Sequence, residues 1–120
     1  EGYVKITANK DFIIERHSID KDFNIPRSMD TVCLDMDRIE YPISVRLIQE
    51  GDKFVPLGMK NEKLISDYLT DKKRSVYDKE SQLVVCSGNK IAWLVNERPD
   101  DRFRITDNTR RILKIRVINH

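Results

Sequence analysis

Two stretches of this chain, 44–49 and 112–118, alternate in the period of strands, and several short β-branched or aromatic runs lie outside them. Residues 3–6 (YVKI) and 11–16 (DFIIER) are short β-branched or aromatic runs on either side of Ala8-Asn9-Lys10, which predicts a hairpin. Residues 17–30 are polar, contain Pro26 and show no period, so they read as a long loop that includes His17. Thr31 to Leu34 reads as a strand, followed by a turn at Asp35 to Asp37, where short acidic side chains can accept from nearby backbone N–H groups. The run SVRLIQ (44–49) alternates, with Val45, Leu47 and Gln49 opposite Arg46 and Ile48, and Gly51-Asp52 ends it. In FVPLGM (54–59) a proline and a glycine two residues apart predict an irregular loop.

The period then changes. Leu64, Ile65, Tyr68 and Leu69 fall on one helical face, with Asn61 as expected N-cap and Glu62 beside the positive helix start. Lys72, Lys73 and Arg74 lie at or just beyond the helix end, where the dipole favours cations. A second short helix is expected from Val76 to Ser81. LVVCS and KIAWLV, joined by Gly88-Asn89, read as a hairpin whose turn requires positive φ. A charged connection around Pro99 (97–106) and a turn at Asp107, Asn108 and Thr109 lead to a final strand. There Ile112, Lys114, Arg116 and Ile118 alternate with Leu113, Ile115 and Val117. Strands outnumber helices without regular alternation, so the expected class is α+β. The sheet is mixed or largely antiparallel, with one or two short helices, in a single small domain.

Composition narrows the function classes. A chain of 120 residues, 39% hydrophobic and 35% charged, supports a modest core under a charged surface and is too apolar for a disordered segment. Its longest apolar runs are too short to cross a bilayer, and charges mixed through Glu1 to Asp11 give no secretory pattern, so a cytoplasmic protein is expected. Cys33 and Cys86 are lone residues in apolar runs and read as free thiols; a disulfide would be unusual in a reducing compartment. The net charge of +2 is unevenly spread. Residues 1–44 carry −3, 45–74 carry +2, 75–97 carry −1 and 98–120 carry +4, so positive charge gathers in two separate segments.

Catalytic chemistry is hard to find. His17 and His120 stand away from any serine or cysteine motif, and Asp35, Asp37 and Glu40 lack the spacing of a calcium loop. Ser87-Gly88-Asn89-Lys90 has one glycine and opens no helix, so it reads as a hairpin turn and not a phosphate loop. No catalytic or metal-binding residue is assigned. The residues read as a binding or scaffolding module.

Residues 49–73, QEGDKFVPLGMKNEKLISDYLTDKK, resemble a signature of the C-terminal domain of bacterial tRNA(Ile)-lysidine synthases. The pattern G-D-x-F-x-P-x-G-M, then S-D-Y-L-x-D-x-K, is met by Gly51, Asp52, Phe54, Pro56, Gly58, Met59, Ser66, Asp67, Tyr68, Leu69, Asp71 and Lys73. A second block agrees: Ile91 and Trp93, then Arg98 to Phe103, then the threonines of ITDNT. The signature region is 45–117, and 1–44 matches only loosely. Where the family commonly has glycine and paired lysines, this chain has Asn61, Lys63 and Leu64. The family's Ser-Gly-Gly-x-Asp-Ser loop for ATP pyrophosphate is not in these residues, and the abrupt start at Glu1 fits a piece of a longer chain.

The resemblance implies that 1–120 is the tRNA-binding domain of an ATP-dependent, PP-loop-type ligase that attaches lysine to the wobble cytidine of isoleucine tRNA. The domain would grip the acceptor stem. It would be no enzyme and need no cofactor, while ATP and Mg serve the parent's catalytic domain. Its expected partners are isoleucine tRNA and that catalytic domain, with no membrane. Phosphates, 2′-hydroxyls and shape dominate recognition of A-form stems, so the candidate RNA-binding residues are cations. They are Lys53, Lys60, Lys63, Lys72, Lys73 and Arg74 from the first block and Arg98, Arg102 and Arg104 from the second. The competing reading of each is a solvated or ion-paired surface side chain, with Asp100 and Asp101 available to Arg98 and Arg102. For Phe54, Pro56, Met59, Tyr68 and Trp93, base stacking competes with core packing. The alternative function is a protein-interaction or interdomain packing module without RNA contact.

Overall fold

The computed structural model describes residues 2–7, 10–19 and 24–119, the first stretch as backbone. Ala8 and Asn9 of the expected hairpin turn, part of the expected loop (Asp20 to Phe23) and His120 lie outside the described residues. The chain is α+β, every strand pairing among the described residues is antiparallel, and there are two compact units: Glu1–Ile39 with Phe103–His120, and Glu40–Arg102.

The first unit is built on a four-stranded sheet in the order β1 (Gly2–Thr7), β2 (Lys10–Ser18), β10 (Arg111–Asn119), β3 (Thr31–Asp35). β10 pairs with β2 along its whole length and with β3 from Ile112 to Arg116. This register sets Val117 opposite Phe12, Ile115 opposite Val32 and Leu113 opposite Leu34, and all six are buried. One sheet face therefore carries an apolar layer, as alternation in the last strand predicts. On the other face, cross-strand Lys114 and Glu15 approach to 3.9 Å. His17 lies in β2, not in a loop, and its Nε2 meets Glu15 Oε1 at 2.8 Å. Pairing with β10 extends the strand through residues whose own sequence shows no period. Asp35 caps the 3-10 turn Met36–Arg38 by accepting from the Asp37 N–H, and its other oxygen accepts from Thr109 Oγ1 at 3.0 Å.

The second unit has a four-stranded sheet, β4 (Ile43–Leu47), β7 (Leu83–Ser87), β8 (Lys90–Leu94) and β9 (Arg98–Pro99). β7 is buried throughout and β8 from Ile91 onward, matching their unbroken apolar runs. The expected hairpin joins them, with Gly88 at φ 56°. β4 ends at Leu47, two residues before the expected end. Leu47 is exposed while Arg46 is half-buried. The Arg46 guanidinium turns onto Asp52.

Helix α1 spans Ile65–Asp71, and Asn61 does not cap it. Lys63–Leu64 (β6) is extended and pairs with Lys53–Phe54 (β5), part of the segment read as irregular. That ladder holds the chain out of helical conformation until Ile65, whose N–H donates to the Asp52 carbonyl at 2.9 Å. The expected apolar face survives, since Ile65, Tyr68 and Leu69 are buried with Phe54, Val84, Cys86, Ile91 and Leu94. The helix ends in a Schellman motif: the Arg74 N–H donates to the Leu69 carbonyl and the Lys73 N–H to that of Thr70, with Lys73 at φ 59°. Helix α2 (Val76–Glu80) starts on a capping box in which Ser75 and Asp78 bond each other's backbone N–H. Cys86 is buried, Cys33 is half-buried, and both are free thiols.

Candidate nucleic-acid interface

The two signature blocks lie far apart in sequence, and in Glu40–Arg102 they are bonded together. Pro56 bridges Asp100, the Leu57 N–H donates to the Pro99 carbonyl at 3.0 Å, and the Asp101 N–H donates to the Val55 carbonyl at 2.7 Å. Side chains complete the join. Asp100 Oδ2 accepts from the Val55 N–H at 2.8 Å, and Asp101 Oδ1 accepts from the Gly58 N–H at 3.0 Å. Residues 56–59 form a turn closed by the Met59 N–H on the Pro56 carbonyl at 2.8 Å, with Gly58 at φ 90°. Positive φ in the third position is the signature of a type II turn. A Cβ at Gly58 would meet nothing within 4 Å, so backbone conformation alone, not space, asks for glycine.

The motif aspartates organise arginines. Asp100 is fully buried and takes both the Nε and Nη2 of Arg102, at 3.0 and 2.8 Å, as well as its backbone N–H. This pairing raises the Arg102 guanidinium further above its ordinary pKa. Asp52 accepts from both Nη1 and Nη2 of Arg46, at 2.8 and 3.0 Å, and from the Gln49 N–H at 2.7 Å. Burial pushes the Asp52 carboxyl up, but Arg46 and the Gln49 N–H outweigh it and hold it below the usual carboxylate range. Arg74 forks onto Glu97 at 2.8 and 3.0 Å, tying the end of α1 to the approach to β9.

The nine candidate cations therefore divide. Arg74, Arg102 and Lys63, the last bonded to Asp71, are each held by a carboxylate. Lys53, Lys60, Lys72 and Lys73 are exposed and form no ion pair among the described residues. Arg104 is exposed and belongs to the other unit. Lys72 and Arg98, one from each block, come together over the same ring: Lys72 Nζ is 5.6 Å and Arg98 Cζ 6.0 Å from the Tyr68 centroid. Tyr68 is itself fixed edge-to-face against Phe54, with centroids 5.3 Å apart and an interplanar angle of 83°. The unit holds eleven Lys/Arg and eleven Asp/Glu, so a local attraction for polyanions must come from this sorting and not from net charge.

Among the aromatic and apolar signature residues, Phe54, Pro56, Tyr68 and Trp93 are buried and serve packing, while Met59 is 45% exposed. Exposed Leu57 and the bond from the Val55 N–H to Asp100 escape a reading of the sequence, whereas the Asp100–Arg102 pair is the competing reading it offered for Arg102. Among the described residues, no group of three or more His, Cys, Asp or Glu is arranged to hold a metal ion, and no helix is long and apolar enough to cross a membrane.

This is a small α+β module whose signature motifs build a braced loop and leave selected cations facing outward. No protein-family model matches the chain. It is 46% identical over 106 residues to the tRNA(Ile)-lysidine synthase of Bacteroides thetaiotaomicron, covering 88% of this chain and 25% of that protein. The same enzyme of Parabacteroides distasonis is 42% identical over 81% of this chain, and that of Clostridium tetani 39% over 69%. In fold it is similar to a crystallised TilS C-terminal domain, with a TM-score of 0.81 at 14% identity, covering 98% of this chain and 90% of that one. An N-terminal fragment of the phenylalanyl-tRNA synthetase β-subunit from Pyrococcus horikoshii is also similar, with a TM-score of 0.62 at 21% identity, over 72% of this chain and 27% of that one. The chain belongs to the tRNA(Ile)-lysidine synthase family and corresponds to its C-terminal domain. It spans about a quarter of the length of the first two of these relatives.

Proposed function

We propose that this chain is the tRNA-binding domain of a ligase that uses ATP to attach lysine to the wobble cytidine of isoleucine tRNA, and that it grips the acceptor stem in the cytoplasm. ATP and Mg would act in the parent's catalytic domain, the second expected partner. The observation that carries the reading is the meeting of Lys72 and Arg98 over Tyr68, flanked by Lys73. Two cations from separate segments, braced on one ring, suit successive phosphates of a backbone. Lys53 and Lys60 would extend the contact, and Arg104, in the other unit, would meet RNA phosphate separately. Lys63, Arg74 and Arg102 would position the others through their carboxylates, unless RNA displaces those partners.

The test is a titration of the chain with isoleucine tRNA and with a size-matched duplex. Lys72→Glu with Lys73→Glu is expected to weaken tRNA binding by about ten-fold or more at low salt and to flatten the slope of log K against log salt. An unchanged affinity and slope would remove these lysines from the contact.

Lys73 offers a second, independent check. It occupies the left-handed position of the Schellman motif, where glycine is preferred, so Lys73→Gly is expected to stabilise the fold by about 0.5–1 kcal/mol. If the lysine binds RNA, the same variant melts higher and binds tRNA more weakly. A gain in stability with full binding would assign Lys73 no contact.

One observation favours a packing role for another part of the unit. A groove of about 500 Å³, lined by Leu47, Ile48, Ile65 and Val76 among others, leaves Leu47 and Val76 well exposed. Such a surface suits a protein neighbour better than a polyanion.

A further inference from the structure

Resting on the tRNA-binding reading, we propose that the Leu57–Met59 turn is a preformed apolar contact that seats on the ribose faces of an A-form duplex. Leu57 is 41% and Met59 45% exposed, two large apolar side chains one residue apart at the tip of a turn. Such side chains on a floppy loop would cost ordering on contact. This turn is already ordered by the Pro56 carbonyl, the Pro99 carbonyl and the Asp101 carboxylate, which take the N–H groups of Met59, Leu57 and Gly58. With its N–H groups bonded inward, the turn offers side chains and not backbone donors to a partner.

The neighbours of the turn select the partner. Lys60 follows directly and is exposed with no ion pair among the described residues, while Leu57 is bonded to Pro99, the residue after Arg98. Arg98 in turn shares the Tyr68 ring with Lys72. A short apolar tip between cations matches a surface that alternates sugar with phosphate. The wide, shallow minor groove of A-form RNA exposes sugars with their 2′-hydroxyls, whereas B-form DNA keeps its minor groove narrow. Two side chains are too small an apolar area for a stable protein interface. Met59, unbranched and adaptable, fits an irregular sugar surface. The contact reads shape and not base identity.

The test uses the 120-residue chain carrying Leu57→Ser and Met59→Ser together, with Met59→Leu as the conservative control. Affinities for isoleucine tRNA, RNA duplexes of different sequence and a DNA duplex are measured across a salt series, with melting temperatures alongside. The double variant is expected to melt like the parent, to bind tRNA and each RNA duplex about ten-fold more weakly, and to keep the parent's salt slope. Its preference for RNA over DNA should shrink, and Met59→Leu should bind normally. Unchanged RNA affinity in the double variant overturns the proposal while leaving the tRNA reading intact. An equal loss on DNA overturns the ribose contact. If the unaltered chain binds no RNA at all, the tRNA reading itself fails and takes this inference with it.

Discussion

Asp100→Ala is expected to lower unfolding stability by about 3 kcal/mol and the melting temperature by roughly 10 °C. The carboxylate is wholly buried and accepts from the Val55 N–H and three N–H groups of Arg102. Alanine leaves the buried Val55 donor unsatisfied and releases a guanidinium from its counter-charge. The Arg102 side chain is 35% exposed, so water recovers part of that loss, which keeps the figure below the full cost of breaking a buried pair. Asp100→Asn keeps one acceptor and should lose roughly half as much. Urea unfolding of the three proteins checks the order, and equal stability of Ala and parent would show that the join between the blocks does not depend on this carboxylate. If the join positions the binding surface, Asp100→Ala also weakens tRNA binding at temperatures where it stays folded.

Phe54→Ala is expected to cost about 4 kcal/mol, the loss of a fully buried ring together with its edge-to-face partner. The effect should reach function, because Tyr68 rests on Phe54 and carries Lys72 and Arg98. Phe54→Leu keeps most of the volume and should cost only about 1 kcal/mol, yet it removes the ring that fixes Tyr68. Comparing tRNA affinity of Phe54→Leu with its modest stability loss separates the two effects. A variant that is slightly less stable but binds normally would mean that the orientation of Tyr68 is irrelevant to RNA.

Much of this architecture is encoded locally. Alternation in residues 112–118 marks β10 as a strand with Leu113, Ile115 and Val117 on one face, Gly88-Asn89 specifies the β7–β8 turn, and the spacing of Ile65, Tyr68 and Leu69 specifies the buried face of α1. The two motif blocks carry the family likeness without any structure. Each of these signals lies in a short window, where backbone period, φ preference and residue order are properties of the chain itself.

Tertiary structure decided the rest. Asn61 has the chemistry of a helix cap, but pairing of Lys63–Leu64 with Lys53–Phe54 moves the helix start to Ile65. Nine cations look alike as letters. Folding assigns Arg74 to Glu97 and Arg102 to Asp100, sets Lys72 and Arg98 on one aromatic ring, and leaves Lys53, Lys60 and Lys73 facing solvent. Charge acts through space over a few ångströms, so whether a cation is free for a partner depends on which distant segments lie beside it. That information exists only once the chain has closed on itself.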